Sequence, residues 1–375
     1  MAPEITHIRL TDVEKSDSLV TQAFMGAVIA IVGNNLQEVD EIWFNDKEAY
    51  INTSYVSPNA IIVTVPNEIP EVVTNELRLI TRDKKELVYP FVVRVPAPFL
   101  ESMLCEHVAE GGTAVIRGNY FIDDPNMPLE IIFPGNIKGE VVSVSLTEVS
   151  VIVPAGAGVG PISAKSIYGS SRSRFYFRDD RNIILDYDTK TTSGSWRGGT
   201  IREDEHSLDG KYLMLKGELG DNAGAEDYPD GGFVSELWSD ANGRPEGNFF
   251  EGDPANYLLK FESKVIEWTG AYLNICFGPW NSSVAPYQNQ LYWNDINARG
   301  LWRPWEQHGG KFRTEGWITV VIPMTDIKYN KDFSAMEFDP SMAGSLSFWM
   351  KGPAAEPGGS SKIEVYIDNV RIVEK

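Results

Sequence analysis

Six of the chain's ten tryptophans, Trp268, Trp280, Trp293, Trp302, Trp305 and Trp317, fall between Ile266 and Trp317. The residues between them are Asn, Gln, Gly and Pro rather than a run of aliphatics. A buried core repeats its aromatic rings at a helix or strand period; these recur irregularly, in segments punctuated like loops. Flat rings beside amide side chains suit a ligand with apolar faces and a hydroxylated edge, as a pyranose has. The ring buries the axial C–H face, and Asn274, Asn281, Gln288, Asn289, Gln290, Asp295 and Arg303 are the groups at hand for the hydroxyls. Each such hydrogen bond contributes only about 0.5–1.5 kcal/mol net, because free sugar is already hydrated. Affinities in the micromolar to millimolar range follow, and several rings in a row call for an extended oligosaccharide.

Context separates the rings. Trp280, Trp293, Trp302 and Trp305 sit in loop-like stretches and are candidates for ligand contact, with loop anchoring as the competing role. Trp268 starts a strand beside Gly270 and admits either role. Trp317 in GWITVVIP, Trp349 in LSFWMK and Trp43 in an early strand read as structural. In AYLNICF, Leu273, Ile275 and Phe277 share one strand face and form core; Tyr272, Asn274 and Cys276 share the other, which either lines a groove or meets solvent.

Other chemistries find little support. Glycoside hydrolysis needs two facing carboxylates, and the Trp-rich stretch shows no i, i+2 acidic pair. Glu203-Asp204-Glu205 and Glu226-Asp227 lie in Gly-rich loops, where a solvated turn or a structural Ca²⁺ site accounts for them; no other cofactor is expected. His7, His107, His206 and His308 are too scattered for a zinc site or a Ser-His-Asp set. Gly156–Gly160 lacks the strand–turn–helix context of a phosphate loop and runs into Pro161.

The elements that must carry the rings are β-strands throughout. Residues 1–95 alternate short apolar runs with turn clusters, as a β-sandwich does. Residues 96–177 echo them. Gly33-Asn34-Asn35-Leu36 matches Gly118-Asn119-Tyr120-Phe121; EIWFN matches EIIFP; and IIVTVP matches VSVIVP. That repeat length suits tandem Ig-sized units rather than a solenoid. RSRFYFRDDR closes the second unit as a last strand plus hinge. Residues 178–375 hold nine of the ten tryptophans and read as one larger β-sandwich or jelly roll with long polar loops. The fold class is therefore all-β, two sandwiches followed by a larger one.

A net charge of −20 and a pI near 4.7 exclude nucleic acid and anionic lipid surfaces as partners. Cys105 and Cys276 lie in different units and are expected as free buried thiols. No stretch is long and apolar enough to cross a bilayer as a helix, and MAPEITHIRL does not read as a signal peptide.

The pattern of apolar strand, Gly-Asn-x-apolar, I-x-F and V-x-V-P resembles the IPT/TIG immunoglobulin-like domain. With NYLLKFE, LWRPW, KFRTEGWITVVIP and IEVYIDNVRIV, nearly the whole chain resembles the B-type surface glycan-binding lipoproteins of Bacteroidetes polysaccharide-utilisation systems. That resemblance implies a non-catalytic protein at the outer face of the outer membrane. Its membrane contact would run only through a lipidated cysteine outside these residues, and it would pass polysaccharide to a neighbouring transporter complex. It places the binding platform on Trp268 and Trp302; Trp280, Tyr292, Trp293 and Trp305 join from their loop setting, with Asn274 and Arg303 beside them. The implied ligand is a β-glucan, mixed-linkage β-glucan or xyloglucan ahead of laminarin or mannan. The competing reading is an adhesin or assembly module that binds a protein, since Trp, Tyr and Arg also dominate protein interfaces.

Overall fold

The computed structural model describes residues 2–12, 14, 18–194, 197–220, 232–237, 246–280, 291–354 and 360–375. Among them, strands dominate and the helical segments are short 3₁₀ stretches of three to five residues. By chain contacts the molecule divides into two compact units. One comprises residues 1–98, 122–129 and 165–171; the other comprises 99–121, 130–164 and 172–375.

The first unit is a sandwich. A three-stranded antiparallel sheet (Glu4–Leu10, Val28–Asn34, Ala60–Thr64) faces a four-stranded one (Lys47–Ala49, Val39–Phe44, Glu76–Thr81, Glu86–Pro90). ELRLIT shows why: every second residue is buried, so Leu77 and Leu79 join Ile29, Ile31, Ile42 and Ile61 in one core while Arg78 stays at the surface. Phe44 and Phe91 close that core edge-to-face at 5.6 Å.

The echo seen in the sequence is a structural repeat. A Cβ on Gly33 would lie 1.8 Å from the Glu4 carbonyl oxygen; one on Gly118 would lie 1.8 Å from that of Phe99. Only glycine lets the neighbouring strand pass there. Two residues on, Asn35 (φ 56°) and Tyr120 (φ 60°) both adopt the left-handed conformation. The next residues, Leu36 and Phe121, plug the two cores.

The second unit contains two sandwiches in succession. The first pairs the sheet Phe99–Met103, Thr113–Asn119, Glu148–Ile152, Glu140–Val144 with the sheet Ile137–Lys138, Glu130–Phe133, Gly160–Ser166, Gly169–Phe177. In the C-terminal sandwich, a six-stranded sheet runs Thr200–Arg202, Tyr212–Gly220, Ser360–Glu374, Tyr257–Trp268, Ile318–Pro323, with Ile183–Leu185 added on Ser360–Glu374. A four-stranded sheet (Val234–Leu237, Ser345–Ala354, Gly270–Gly278, Arg299–Trp302) packs against it. Leu213, Phe261, Val265 and Ile367 from one sheet meet Leu273, Ile275, Phe277 and Phe348 from the other.

The six-stranded sheet's other face carries charge. Lys260 and Glu262 flank core-facing Phe261, and Arg371 lies in register with Lys260. Arg371 donates to Glu262 at 2.7 Å and to Glu106 of the preceding sandwich at 2.8 Å, while Lys260 donates to Glu106 at 2.7 Å. All four side chains are buried. The Thr319 N–H donates to the Leu104 carbonyl at 2.8 Å and the Glu106 N–H to Thr319 Oγ1 at 2.7 Å, so backbone and charge together seat the second sandwich on the third. Paired in this way, buried charges avoid the penalty of an isolated ion.

Candidate carbohydrate site

The rings named from the sequence separate into two groups. In the first, a β-bulge between Gly270 and Tyr272 puts Ala271 in the left-handed conformation (φ 57°), turning its carbonyl out of the strand ladder. Two indole N–H groups converge on that oxygen, from Trp268 at 3.3 Å and from Trp305 at 2.5 Å. Trp302 meets Trp268 edge-on at 5.0 Å and Phe261 at 5.2 Å. Trp268 is wholly buried, and Trp302 and Trp305 pack half-buried against the domain core. Trp268 therefore leaves the expected platform: it fills the core at the sheet's end, and its polar atom is spent on a backbone carbonyl.

The second group lies on the outer face of the four-stranded sheet. Its register sets Val234, Trp349, Asn274 and Leu301 side by side in one row; Glu236, Ser347, Cys276 and Arg299 form the next. Tyr292 stacks on Trp349 at 5.1 Å with 12° between the planes, and Trp293 meets both rings edge-on at 5.0 and 6.0 Å. Cations frame the rings. Arg197 lies 4.9 Å from the Trp349 ring, Arg299 lies 4.8 Å from Tyr292, and Lys351 lies within 5.6 Å of both Tyr292 and Trp293. Arg299 is fixed by the Tyr292 carbonyl at 2.6 Å and Asp295 at 3.2 Å. The loop that brings Tyr292 and Trp293 to the sheet is thus anchored by the strand residue beneath it.

This face is neither an open groove nor a solvated one. Asn274 is 1% exposed and donates to the Trp349 carbonyl at 3.2 Å, so it braces the sheet and cannot reach a ligand directly. Tyr292, 6% exposed, serves mainly as the layer between Trp349 and Trp293. Trp293 is half-buried and is the ring of this group with surface to offer. On the same sheet, Glu236 Oε1 and Oε2, Ser345 Oγ, Ser347 Oγ, Trp349 Nε1 and two Arg299 nitrogens are buried without a hydrogen-bond partner among the described residues. Burial pushes the Glu236 carboxyl up to about 8 against the pull of Arg197, so it is largely protonated at neutral pH and can donate as well as accept.

The remaining residues are dispersed. Trp280 packs against Gly344, where an added Cβ would stand 2.4 Å from the Trp280 Cβ, and its indole nitrogen is buried without a partner among the described residues. Arg303 pairs with Glu306 at 3.0 Å at the start of the Pro304–His308 turn. Asn281, Gln288, Asn289, Gln290, Glu226 and Asp227 lie outside the described residues. Asp204 accepts from the His206 N–H at 2.9 Å and the Tyr212 hydroxyl at 3.0 Å, which makes its acidic loop a capped turn. Among the described residues no group of three or more His, Cys, Asp or Glu side chains is arranged to hold a metal ion. Trp317 donates to the His206 carbonyl at 2.9 Å, Trp349 is fully buried, and Cys105 and Cys276 are buried free thiols. Sequence reasoning missed Arg197, Lys351, Glu236 and Arg299, whose strand or loop settings carry no signal of the register that assembles them.

Residues 177–374 match the family model described as the surface glycan-binding protein B xyloglucan-binding domain. Among solved structures, the surface glycan-binding protein PbSGBP-B from Prevotella bryantii is similar over 100% of this chain and 99% of its own, with 28% identity and a TM-score of 0.80. SGBP-B from a complex xyloglucan utilization locus in Bacteroides uniformis shares the fold at 19% identity and a TM-score of 0.50, with 100% of each chain covered. A curated IPT/TIG domain-containing protein of Bacteroides ovatus is 34% identical over 127 residues, 32% of this chain. The match spans 26% of that relative's length. With more than half of its residues inside the family match and the whole chain superposable on a member, the protein belongs to the surface glycan-binding protein B family.

Proposed function

We propose that the C-terminal sandwich binds an extended, neutral β-glucan without cleaving it, as a capture protein at the outer surface of the cell. The observation that carries this reading is the Tyr292–Trp293–Trp349 stack above a polar strand face. A ring offers the apolar side of a pyranose a contact surface, while the half-buried cations Arg197 and Lys351 beside the rings supply hydrogen-bond donors. Xyloglucan and mixed-linkage β-glucan fit best, since the family model that matches this domain is named for xyloglucan binding. Attachment by a lipid anchor and delivery to a neighbouring outer-membrane transporter complete the reading; they rest on family membership. The tandem Ig-like units would then serve as a stalk.

Affinity electrophoresis of the whole chain in gels containing barley β-glucan, xyloglucan, laminarin or galactomannan tests this. Retardation by one of the first two, with no reducing ends released on prolonged incubation, is expected. Free migration in all four gels would move the protein to the protein-binding reading, and release of reducing ends would make it an enzyme.

A further inference from the structure

A concave surface lies elsewhere in the same compact unit. A cavity of about 660 Å³ opens between the second and third sandwiches, walled by Phe312, Trp317 and His308 on one side and by Thr113 and Arg117 on the other. A second concavity of about 560 Å³ continues past Phe312 and Arg313 along Ile266, Glu267 and Lys311. The two adjoin at Phe312 and Arg313, which line both, and each lies within the size range of ligand sites (roughly 300–1,000 Å³); together they are termed the trough. It shares no residue with the Tyr292–Trp293 cluster.

The trough's floor is built rather than incidental. The Phe312 and Trp268 backbones exchange hydrogen bonds at 2.9 and 3.1 Å, and the Thr314 N–H donates to the Val265 carbonyl at 2.9 Å, so the Phe312 segment is a fixed rail on the six-stranded sheet. His308 packs on Phe312 at 4.8 Å, and the Trp317 indole is held by the His206 carbonyl. The opposite wall is held in place by the buried Glu106–Arg371–Glu262 set.

Shape and charge select the occupant. Two joined concavities suit a chain rather than a compact molecule. On a protein of net charge −20, the lining carries Arg117, Lys311 and Arg313 against Glu267 and Glu315, which leaves little net field and fits a neutral ligand. Aromatic walls interleaved with exposed hydrogen-bonding groups of both signs match a polyhydroxylated chain. We infer that this trough is a second carbohydrate site, which grips a β-glucan polymer at the joint between the second and third sandwiches. The inference rests on the glycan-binding reading above for its ligand class, and it adds a contact that polymer reaches independently of Trp293.

The test is affinity electrophoresis of four versions of the whole chain in xyloglucan and mixed-linkage β-glucan gels: wild type, Trp293→Ala, Arg117→Ala/Arg313→Ala, and the triple variant. Both arginines are surface residues, so thermal melts of the double variant should coincide with wild type. The double variant should bind polymer about threefold or more weakly, the loss of one or two ordinary hydrogen bonds. Trp293→Ala should keep residual retardation that the triple variant loses. Equal migration of Trp293→Ala and the triple variant would overturn the trough while leaving the glycan reading intact. Should wild type itself run free of every glycan, the reading of the whole domain fails first, and the trough with it.

Discussion

The two sheets of the C-terminal sandwich cover their outer faces in opposite ways. On the six-stranded sheet, Lys260, Glu262 and Arg371 meet Glu106 of the preceding sandwich, and each carboxylate oxygen of Glu106 and Glu262 finds a charged donor or a hydroxyl. On the four-stranded sheet, Glu236, Ser345 and Ser347 are buried with side-chain oxygens unpartnered among the described residues, on the strand that carries Trp349 of the Tyr292–Trp349 stack and on the strand paired with it. Carboxylates that each meet a charged or hydroxyl donor fix one geometry and build a joint; the four-stranded face carries polar atoms that the described residues do not pair. Burial alone does not distinguish the two faces. The difference lies in how the carboxylates are paired among the described residues.

Breaking the paired face should have the largest effect. Glu262→Gln leaves Arg371 short of a counter-charge in the interior and should cost about 3–5 kcal/mol in urea unfolding. A loss below about 1 kcal/mol would mean that water reaches the joint. Trp268→Ala tests whether the Ala271 cluster belongs with the core: a buried indole removed should cost about 3–5 kcal/mol. Trp268 is wholly buried, so any change in the glycan affinity of the folded fraction would have to come through the Phe312 segment that its backbone holds.

A third prediction concerns pH. Burial, with the neighbouring Asp209 carboxylate, raises Asp368 to about 10. Its folded carboxyl keeps a proton that the unfolded chain has released above about pH 4, so unfolding gives off a proton and stability falls as pH rises from about 4 towards 10. The slope from this group is at most about 1.4 kcal/mol per pH unit. Asp368→Asn, which fixes the neutral form, should flatten the decline in melts at pH values of about 5, 7 and 9; an unchanged slope would assign the effect elsewhere. Arg303→Ala should do least. Its pair with Glu306 is exposed on both sides, so a change within about 0.5 kcal/mol is expected in the same unfolding assay.

Alternation and punctuation made the strands legible in the sequence. ELRLIT buries every second residue as its pattern requires, and the Gly-Asn-x-apolar repeat showed itself because Gly33 and Gly118 meet the same steric demand. The Leu273–Ile275–Phe277 face was equally plain. The site was harder to read, because irregular spacing of tryptophans marks loops without telling which way the rings turn. Trp268 and Trp305 turn inward owing to one positive-φ residue, Ala271, whose conformation has no sequence signature. Asn274 looked free to bond a hydroxyl until its register partner, Trp349, proved to hold its amide. Glu236 and Arg299 join the site through their cross-strand neighbours, Ser347 and Cys276, a relation that only the sheet register supplies.

The central claim is that Trp293, supported by Tyr292 on Trp349, presents the surface on which glycan lies. Calorimetric titration of Trp293→Ala with the glycan that retards wild type, paired with its melting curve, tests this most directly. An affinity lowered about tenfold or more is expected, in keeping with a lost stacking contact, at a melting temperature near that of wild type. Wild-type affinity in a folded Trp293→Ala protein would contradict it.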